Sequence, residues 1–410
     1  MKHNYIWGAI DKLSQLAISL LLTKWIAAYF GTELFGAYQF ALSTFAVATS
    51  LTWLCPAEIF YSRLDKAGRL ADSVITTSIV YRFMLSIGIF TCGIVYILTS
   101  VEGIERATFT AVLLLSLTYA EPLGIFRLLI ETNGRFHATA KIRFFGLLLK
   151  ACVIFASIHM AAPPAVVVSA ALVESIAVSV ICLVFYKRMV APYTFVFAQW
   201  DASVLRDMVV EGVKYWPGLV AMTFGLKADR ILLANALDAS VYGAYAAAMS
   251  LFEQFTSVGT SIVAIAAPIY IYRESGERLR RNFLLACVAV VLLGVIGAIM
   301  LYLIAPYVVT LVYGPTFSNA VAVLRSALLF APIIFLELIA STLMIKQRSP
   351  GLFSLKWLVA MAVSLTILHS GTSELYGVYG HVSSWLVASL FSVGFMVRYL
   401  MCTANATVKH

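Results

Sequence analysis

The chain has 410 residues, 61% of them hydrophobic and 12% charged, and carries a formal net charge of +9. With a mean hydropathy of +0.92, this composition excludes a soluble domain and places the chain in a bilayer, where its apolar stretches lead to the expectation of an all-α polytopic membrane protein. The positive balance reads as membrane topology and not as nucleic-acid binding, because the basic residues are sorted by loop.

Twelve apolar stretches each approach the ~20 residues that cross a hydrocarbon core. The first six are Trp7 to Phe30, Gly36 to Cys55, Val74 to Ser100, Thr108 to Ile130, Phe144 to Ala161 and Ala165 to Tyr186. The first carries Asp11, Lys12 and Lys24 with no small-residue cleavage site behind it, so it reads as a retained helix and not a signal peptide.

Lys187 to Gly212 is the longest cytoplasmic loop and joins two halves. Within it Asp201 can cap a short helix whose Val204, Leu205, Met208 and Val209 share one face, as expected of a linker lying in the membrane interface. The second six stretches are Tyr215 to Leu233, Tyr242 to Ile269, Phe283 to Ile304, Ala320 to Ile345, Phe353 to Ser370 and Tyr376 to Leu400. The expected organisation is a six-helix lobe over 1–190, a linker over 191–213, a second six-helix lobe over 214–401 and a tail over 402–410.

Of the 29 Lys and Arg residues, twenty fall in alternate loops and tails, one in the intervening loops and eight inside the spans. Short loops rich in Lys and Arg stay in the cytoplasm. Lys2, Arg63, Lys66, Arg69, Arg135, Lys141, Arg143, Lys187, Arg188, Arg206 and Lys214 are therefore placed on that face. Arg273, Arg278, Arg280, Arg281, Lys346, Arg348, Lys356, Arg398 and Lys409 join them, and both termini are expected there. Outward loops are short, the longest being roughly Ala305 to Asn319, which leaves no outward domain for an active site.

The halves share a repeat. FGAYQFALSTF, from Phe35 to Phe45, aligns with YGAYAAAMSLF, from Tyr242 to Phe252, with six identities in eleven positions. A six-helix unit duplicated in tandem keeps its orientation, so the halves should be related by an axis along the membrane normal with a cavity between them.

An ionisable side chain inside a span is costly, and normally faces protein or water for a reason. Eight basic residues do so: Lys12, Lys24, Arg82, Arg127, Lys150, Lys227, Arg230 and Arg325, against Asp11, Glu121, Glu174, Asp229, Glu253 and Glu337. Asp11 and Lys12 sit near a span end, and Arg127 can pair with Glu131 one turn on. Lys227 and Arg230 lie on one helical face well inside their span and need an anion between or opposite them, and Glu253 on the next helix could neutralise one of the two. Asp229 points elsewhere around the helix. Prolines at 122, 217, 268, 306 and 332 permit bending, and Pro122 directly follows Glu121.

No phosphate-binding loop, HExxH pair or dinucleotide fingerprint occurs, so neither ATP-driven transport nor a cofactor is expected. The six cysteines form no metal-spaced cluster and read as packing residues, and the histidines, His381 among them, lie in tails, loops or span ends.

GTELFGAYQFALSTF after the first helix, LKADRILLANALDASVYGAYAAAMSLFEQF across the seventh and eighth, and LVYGPTFSNAVAVL between the ninth and tenth resemble bacterial O-antigen flippases. These form the polysaccharide-export branch of the superfamily that also holds multidrug and toxin extrusion proteins. The resemblance covers nearly the whole chain by helix count and loop pattern. It implies a V-shaped, two-lobed inner-membrane transporter of twelve helices that turns an undecaprenyl-diphosphate-linked oligosaccharide from the cytoplasmic to the periplasmic leaflet by alternating access.

On this reading a cationic cavity contacts the diphosphate or acidic sugars through Lys24, Lys227 and Arg230, with Arg82, Lys150 and Arg325 as second choices. Asp229, Glu121, Glu174 and Glu253 would couple H+ or Na+ or hold those cations. Membrane lipids and other polysaccharide-assembly proteins complete the expected partners. A cation or drug antiporter on the same scaffold would need a cavity rich in acids. A membrane polymerase or glycosyltransferase would need catalytic residues on a sizeable outward loop, and the short loops oppose it.

Overall fold

The computed structural model describes residues 2–54, 71–190, 200–272, 274–347 and 349–407. Arg63, Lys66, Arg69, Arg273, Arg348 and Lys409 lie outside them, and the side chains of Lys2, Asp11 and Lys12 lie outside what is described. The described residues form helices and turns without a strand. In the bilayer an isolated helix satisfies its own backbone hydrogen bonds, which is why apolar stretches of this length become helices.

Two compact units are formed, Met1–Val220 and Ala221–His410. The first contains α1 (Lys2–Leu51), α2 (Ala71–Ser100), α3 (Ile104–Thr132), α4 (Phe136–His159), α5 (Pro164–Met189) and α6 (Ala202–Gly212). The boundary falls inside α7 (Trp216–Gly225). The second unit continues with α8 (Ala228–Leu233), α9 (Ala239–Ala267), α10 (Gly276–Tyr313), α11 (Ala320–Leu328), α12 (Ala331–Lys346), α13 (Pro350–Ser370) and α14 (Glu374–Thr407).

Eight described helices are long and apolar enough to cross a membrane, nine if the bent pair α11 and α12 counts as one span. All twelve expected stretches coincide with these elements, and the chain is a multi-pass membrane protein. The numbers differ for local reasons. α1 holds the first two stretches in one run of 50 residues, turned at Gly31, whose φ of 66° and ψ of −172° are not helical. The seventh stretch is broken into α7 and α8, and α9 carries Glu253 and Gln254 at its middle. The tenth bends by 49° between α11 and α12, just before Pro332, whereas α3 runs through Pro122 and α10 through Pro306.

Gly31 has open space around a hypothetical Cβ, so its requirement is conformational: a positive φ with an extended ψ belongs almost wholly to glycine. Gly31→Ala is expected to cost about 1–3 kcal/mol, seen as a lower melting temperature of the detergent-solubilised protein. An unchanged melting temperature would show that the turn relaxes freely.

The repeated stretch is core in both units. Phe35, Ala37, Phe40 and Ala41 are buried in the first, and their counterparts Tyr242, Ala244, Ala247 and Ala248 in the second. The outer surfaces are apolar instead, as on α10, where Leu285, Val288, Ile296 and Leu303 are exposed as lipid-facing residues would be. Small residues bring helices close in the second unit: a Cβ on Gly294 would stand 2.6 Å from Phe335 Cγ, and one on Gly259 2.8 Å from Phe335 Cε1.

Asp201 caps α6 as expected, accepting from the amides of Ser203 at 2.8 Å and Val204 at 3.4 Å. The Ser203 hydroxyl and amide hold this carboxyl below the usual carboxylate range. Met208 of α6 is buried in a cluster with Val74, Ile75 and Tyr186, so this helix packs on the first unit. Cys182 and Cys287 are buried, but Cys92 and Cys152 are exposed on helix surfaces and not packed inside.

Candidate functional site

In the second unit the site begins with a broken helix. α7 ends at Gly225, whose carbonyl accepts from the hydroxyls of Ser364 at 3.4 Å and Ser384 at 3.3 Å. A side chain at Gly225 would stand 3.3 Å from Met361 Cα and 3.1 Å from the Ser384 hydroxyl. Lys227 then takes φ −124° and ψ −8° ahead of α8, so it shares no continuous helical face with Arg230, contrary to the expectation. The two cations nevertheless converge.

Their meeting point is Glu253 of α9. Lys227 Nζ donates to its two carboxylate oxygens at 2.8 and 2.7 Å, and Arg230 approaches the same oxygens through both terminal nitrogens at 3.0 Å. One carboxylate thus bridges two cations, where one pairing was expected. Arg230 is almost wholly buried, with a side-chain exposure of 2%, whereas Lys227 at 20% and Glu253 at 28% leave the cluster open on one side. Low-dielectric surroundings strengthen these attractions and make an uncompensated charge expensive.

Asp229 points away from this group, as expected. Its Oδ2 accepts from the Tyr245 hydroxyl at 2.6 Å and lies 3.8 Å from His381 Nδ1, while Oδ1 has no hydrogen-bond partner. Tyr242 donates to the Arg230 carbonyl at 2.8 Å. Both tyrosines of the repeated YGAY therefore anchor α8. His381, expected at a span end, is instead buried two turns into α14 beside Phe252.

Lys356 corrects a second expectation. Placed on the cytoplasmic face by its nearness to a loop, it is fully buried, 2.6 Å from Glu337 and 3.2 Å from the Ser392 hydroxyl. Its ammonium also lies 5.1 Å from the Trp357 ring and 5.4 Å from Phe353. The signal was present, since Lys356 falls inside the Phe353 to Ser370 stretch. Arg325 is half-buried, bonded to the Tyr302 carbonyl at 3.1 Å with its guanidinium 5.0 Å from that ring.

In the first unit, Lys150 of α4 pairs tightly with Glu174 of α5 at 2.9 Å, with Tyr38 of the repeated stretch in electrostatic range. Arg82 of α2 stands 3.6 Å from Glu121 of α3, and Arg127 stands 3.9 Å from Glu131, the expected contact one turn apart. Around them is a cavity of about 620 Å³ whose walls include Arg82, Arg127, Arg143, Glu121, Glu174 and Ser179. Arg143, expected only as a cytoplasmic-face charge, lines it while donating to the Gln15 side chain at 2.7 Å. Lys24 is exposed and forms no ion pair among the described residues.

Lys227, Arg230, Asp229 and Glu253 are thus brought together in one unit, and Arg82, Glu121, Lys150 and Glu174 in the other; Lys24 and Arg325 stand apart from both clusters. No three His, Cys, Asp or Glu side chains among the described residues are grouped to hold a metal. Chemically, both arrangements are ion-pair clusters whose cations stand against protein carboxylates.

No protein-family model and no curated protein matches the chain. Solved structures match over nearly its full length. An inward-facing multidrug resistance MATE family transporter of the MOP superfamily has a TM-score of 0.71 at 14% identity, over 98% of this chain and 99% of that one. Lipid II flippase MurJ in an inward closed conformation has 0.71 at 12% identity, over 98% and 91%. A MOP superfamily transporter from Pyrococcus furiosus, described as having a binding pocket of reversed polarity that suggests a different function, has 0.60 at 14%, over 98% and 96%. The chain therefore has the fold of these structures, an all-α polytopic membrane fold.

Proposed function

We propose that this protein is a flippase for an undecaprenyl-diphosphate-linked oligosaccharide, an O-antigen or related surface-polysaccharide repeat unit. It works in the bacterial inner membrane with both termini in the cytoplasm, by alternating access coupled to H+ or Na+. One observation supports this over a cation exporter on the same fold: the described Glu side chains inside the spans already face protein cations. Glu121 faces Arg82, Glu174 faces Lys150, Glu253 faces Lys227 and Arg230, and Glu337 faces Lys356, while Asp229 lies against the Tyr245 hydroxyl and the His381 ring. Among the described residues Lys24 and Arg325 have no carboxylate partner, so the surplus there is cationic and suits a diphosphate. The MATE and MurJ structures are equally similar, so polarity and not fold discriminates between the two kinds of cargo.

Lys24, Lys227 and Arg230 are assigned to the diphosphate or acidic sugars, with Arg82, Lys150 and Arg325 in support. Asp229, Glu121, Glu174 and Glu253 balance these charges or carry the coupling ion. The test is translocation of a labelled undecaprenyl-diphosphate oligosaccharide in proteoliposomes at matched folded amounts. The parent is expected to move the lipid, and Lys227→Ala/Arg230→Ala/Glu253→Gln, which removes the cations without orphaning their acid, to lose about tenfold or more. Export of a cationic dye with no lipid movement would overturn the reading.

A further inference from the structure

Pro306 interrupts the hydrogen bonding of α10, and the gap is filled from the next helix. Proline has no N–H, so the Tyr302 carbonyl one turn earlier loses its helical donor. Arg325 of α11 donates to it instead through Nε, at 3.1 Å, and its guanidinium lies over the Tyr302 ring, 5.0 Å from the centre. One N–H and one face of the guanidinium are thus committed, which fixes its plane. Among the described residues no hydrogen bond or ion pair takes its two Nη nitrogens. We infer that Arg325 and Tyr302 form a site for the phosphate of an anionic phospholipid of the outer leaflet, with a head group of the phosphatidylglycerol type.

Depth selects the occupant. Between Arg281 and Tyr302 α10 carries no charged residue, and that run spans about 32 Å along the helix, close to the ~30 Å of a hydrocarbon core. With Arg281 at one interface, Tyr302 stands at the other, where tyrosines gather at head-group level. Tyr307, farther along α10, is exposed at the same end. Arg325 lies about 8 Å into α11 from Ala320, and an arginine at that depth keeps its stem on apolar surface and its head toward water. The proposed orientation makes this the outer leaflet; the inference rests on that orientation only for naming the leaflet, and on nothing about the cargo.

The flanks of the site suit acyl chains. Ile299, one turn before Tyr302, and Leu329, one turn beyond Arg325, are exposed apolar side chains. A guanidinium meets phosphate oxygens through two parallel N–H groups, which the Nη nitrogens supply once Nε is taken. Among the described residues no carboxylate pairs with Arg325. A zwitterionic lipid therefore brings its own cation against an uncompensated one, whereas a phosphatidylglycerol head neutralises it. Arg325, assigned above in support of the cargo, acts on it indirectly, by fixing the second unit in its bilayer.

The test puts a photo-cross-linking benzoylphenylalanine in place of Leu329 in the full-length protein, held in nanodiscs of equal parts phosphatidylcholine and phosphatidylglycerol. Mass spectrometry then reads which lipid is captured. Phosphatidylglycerol is expected to be captured about fivefold more often. Arg325→Gln should bring capture to the bulk composition, and Arg325→Lys should fall between, because an ammonium keeps the charge without the fork. Pro306→Ala separates lipid binding from folding, since it returns a helical donor to the Tyr302 carbonyl. Pro306→Ala/Arg325→Gln should melt with Pro306→Ala and still lose the preference. The same cross-linker in place of Leu285, toward the other end of α10, is the control and should not respond to Arg325. Equal capture of both lipids by the parent, a preference that survives Arg325→Gln, or an equal loss at Leu285 would overturn the site. Displacement of the captured phosphatidylglycerol by added undecaprenyl diphosphate would give the guanidinium to the cargo and overturn it as well. A lipid preference without movement of any oligosaccharide lipid would keep this site and sink the flippase reading, and movement with equal capture would do the reverse.

Discussion

Replacing Glu253 with Ala is expected to destabilise the protein by about 3–5 kcal/mol, because it removes one partner of a buried ionic group. Its carboxylate is the meeting point of Lys227 and Arg230, each within 3.0 Å. Without it two like charges face each other, one of them on a side chain only 2% exposed. The contrasting variant is Lys227→Met, which leaves a one-to-one pair between Arg230 and Glu253 and should cost less than half as much. Thermal unfolding in detergent, with folded yield as the second readout, separates the two. If Glu253→Ala melts with the parent, the cations have another counter-charge and the bridging role assigned to Glu253 is wrong.

Glu337→Ala should be comparably damaging, at about 3–5 kcal/mol, since it strands the fully buried Lys356 ammonium. The double variant Glu337→Leu/Lys356→Met is expected to recover most of that loss, because a buried ion pair replaced by apolar side chains of similar size is often neutral or stabilising. Recovery would show that this pair is a structural unit of α12, α13 and α14. If the double variant is as unstable as Glu337→Ala, the hydrogen bond to Ser392 and the packing against Trp357 matter more than the charges.

Much of the fold was legible because membrane spans obey a one-dimensional rule. A helix that satisfies its own backbone in lipid needs only length and apolarity, and the twelve stretches fall on described helices, with the first two joined in α1 and the seventh and tenth each divided between two helices. The repeat was legible for a related reason: positions such as Phe35 and Tyr242, or Ala41 and Ala248, are buried in both units. Asp201 was readable as a cap because capping is decided within four residues. The departures from straight helices were less so. The bend before Pro332 followed its proline, but Pro122 left α3 unbroken, and the break between Gly225 and Ala228 has no proline within it. That break is fitted to Ser364 and Ser384, more than a hundred residues away in the chain.

The candidate sites divide in the same way. The sequence by itself determined most of the charges that lie inside the apolar stretches, since composition along a span is local information, but it counted the buried Lys356 with the cytoplasmic face. Only the tertiary structure decided which of them meet. It brought His381 to Asp229 and Lys356 to Glu337, joined Lys227 and Arg230 on a single carboxylate, and turned Arg143 from a loop charge into a cavity wall. The physical reason is that a charge in a low-dielectric interior is defined by its nearest counter-charge. That partner is chosen by the packing of helices distant in sequence, at contacts of a few ångströms that no spacing along the chain records.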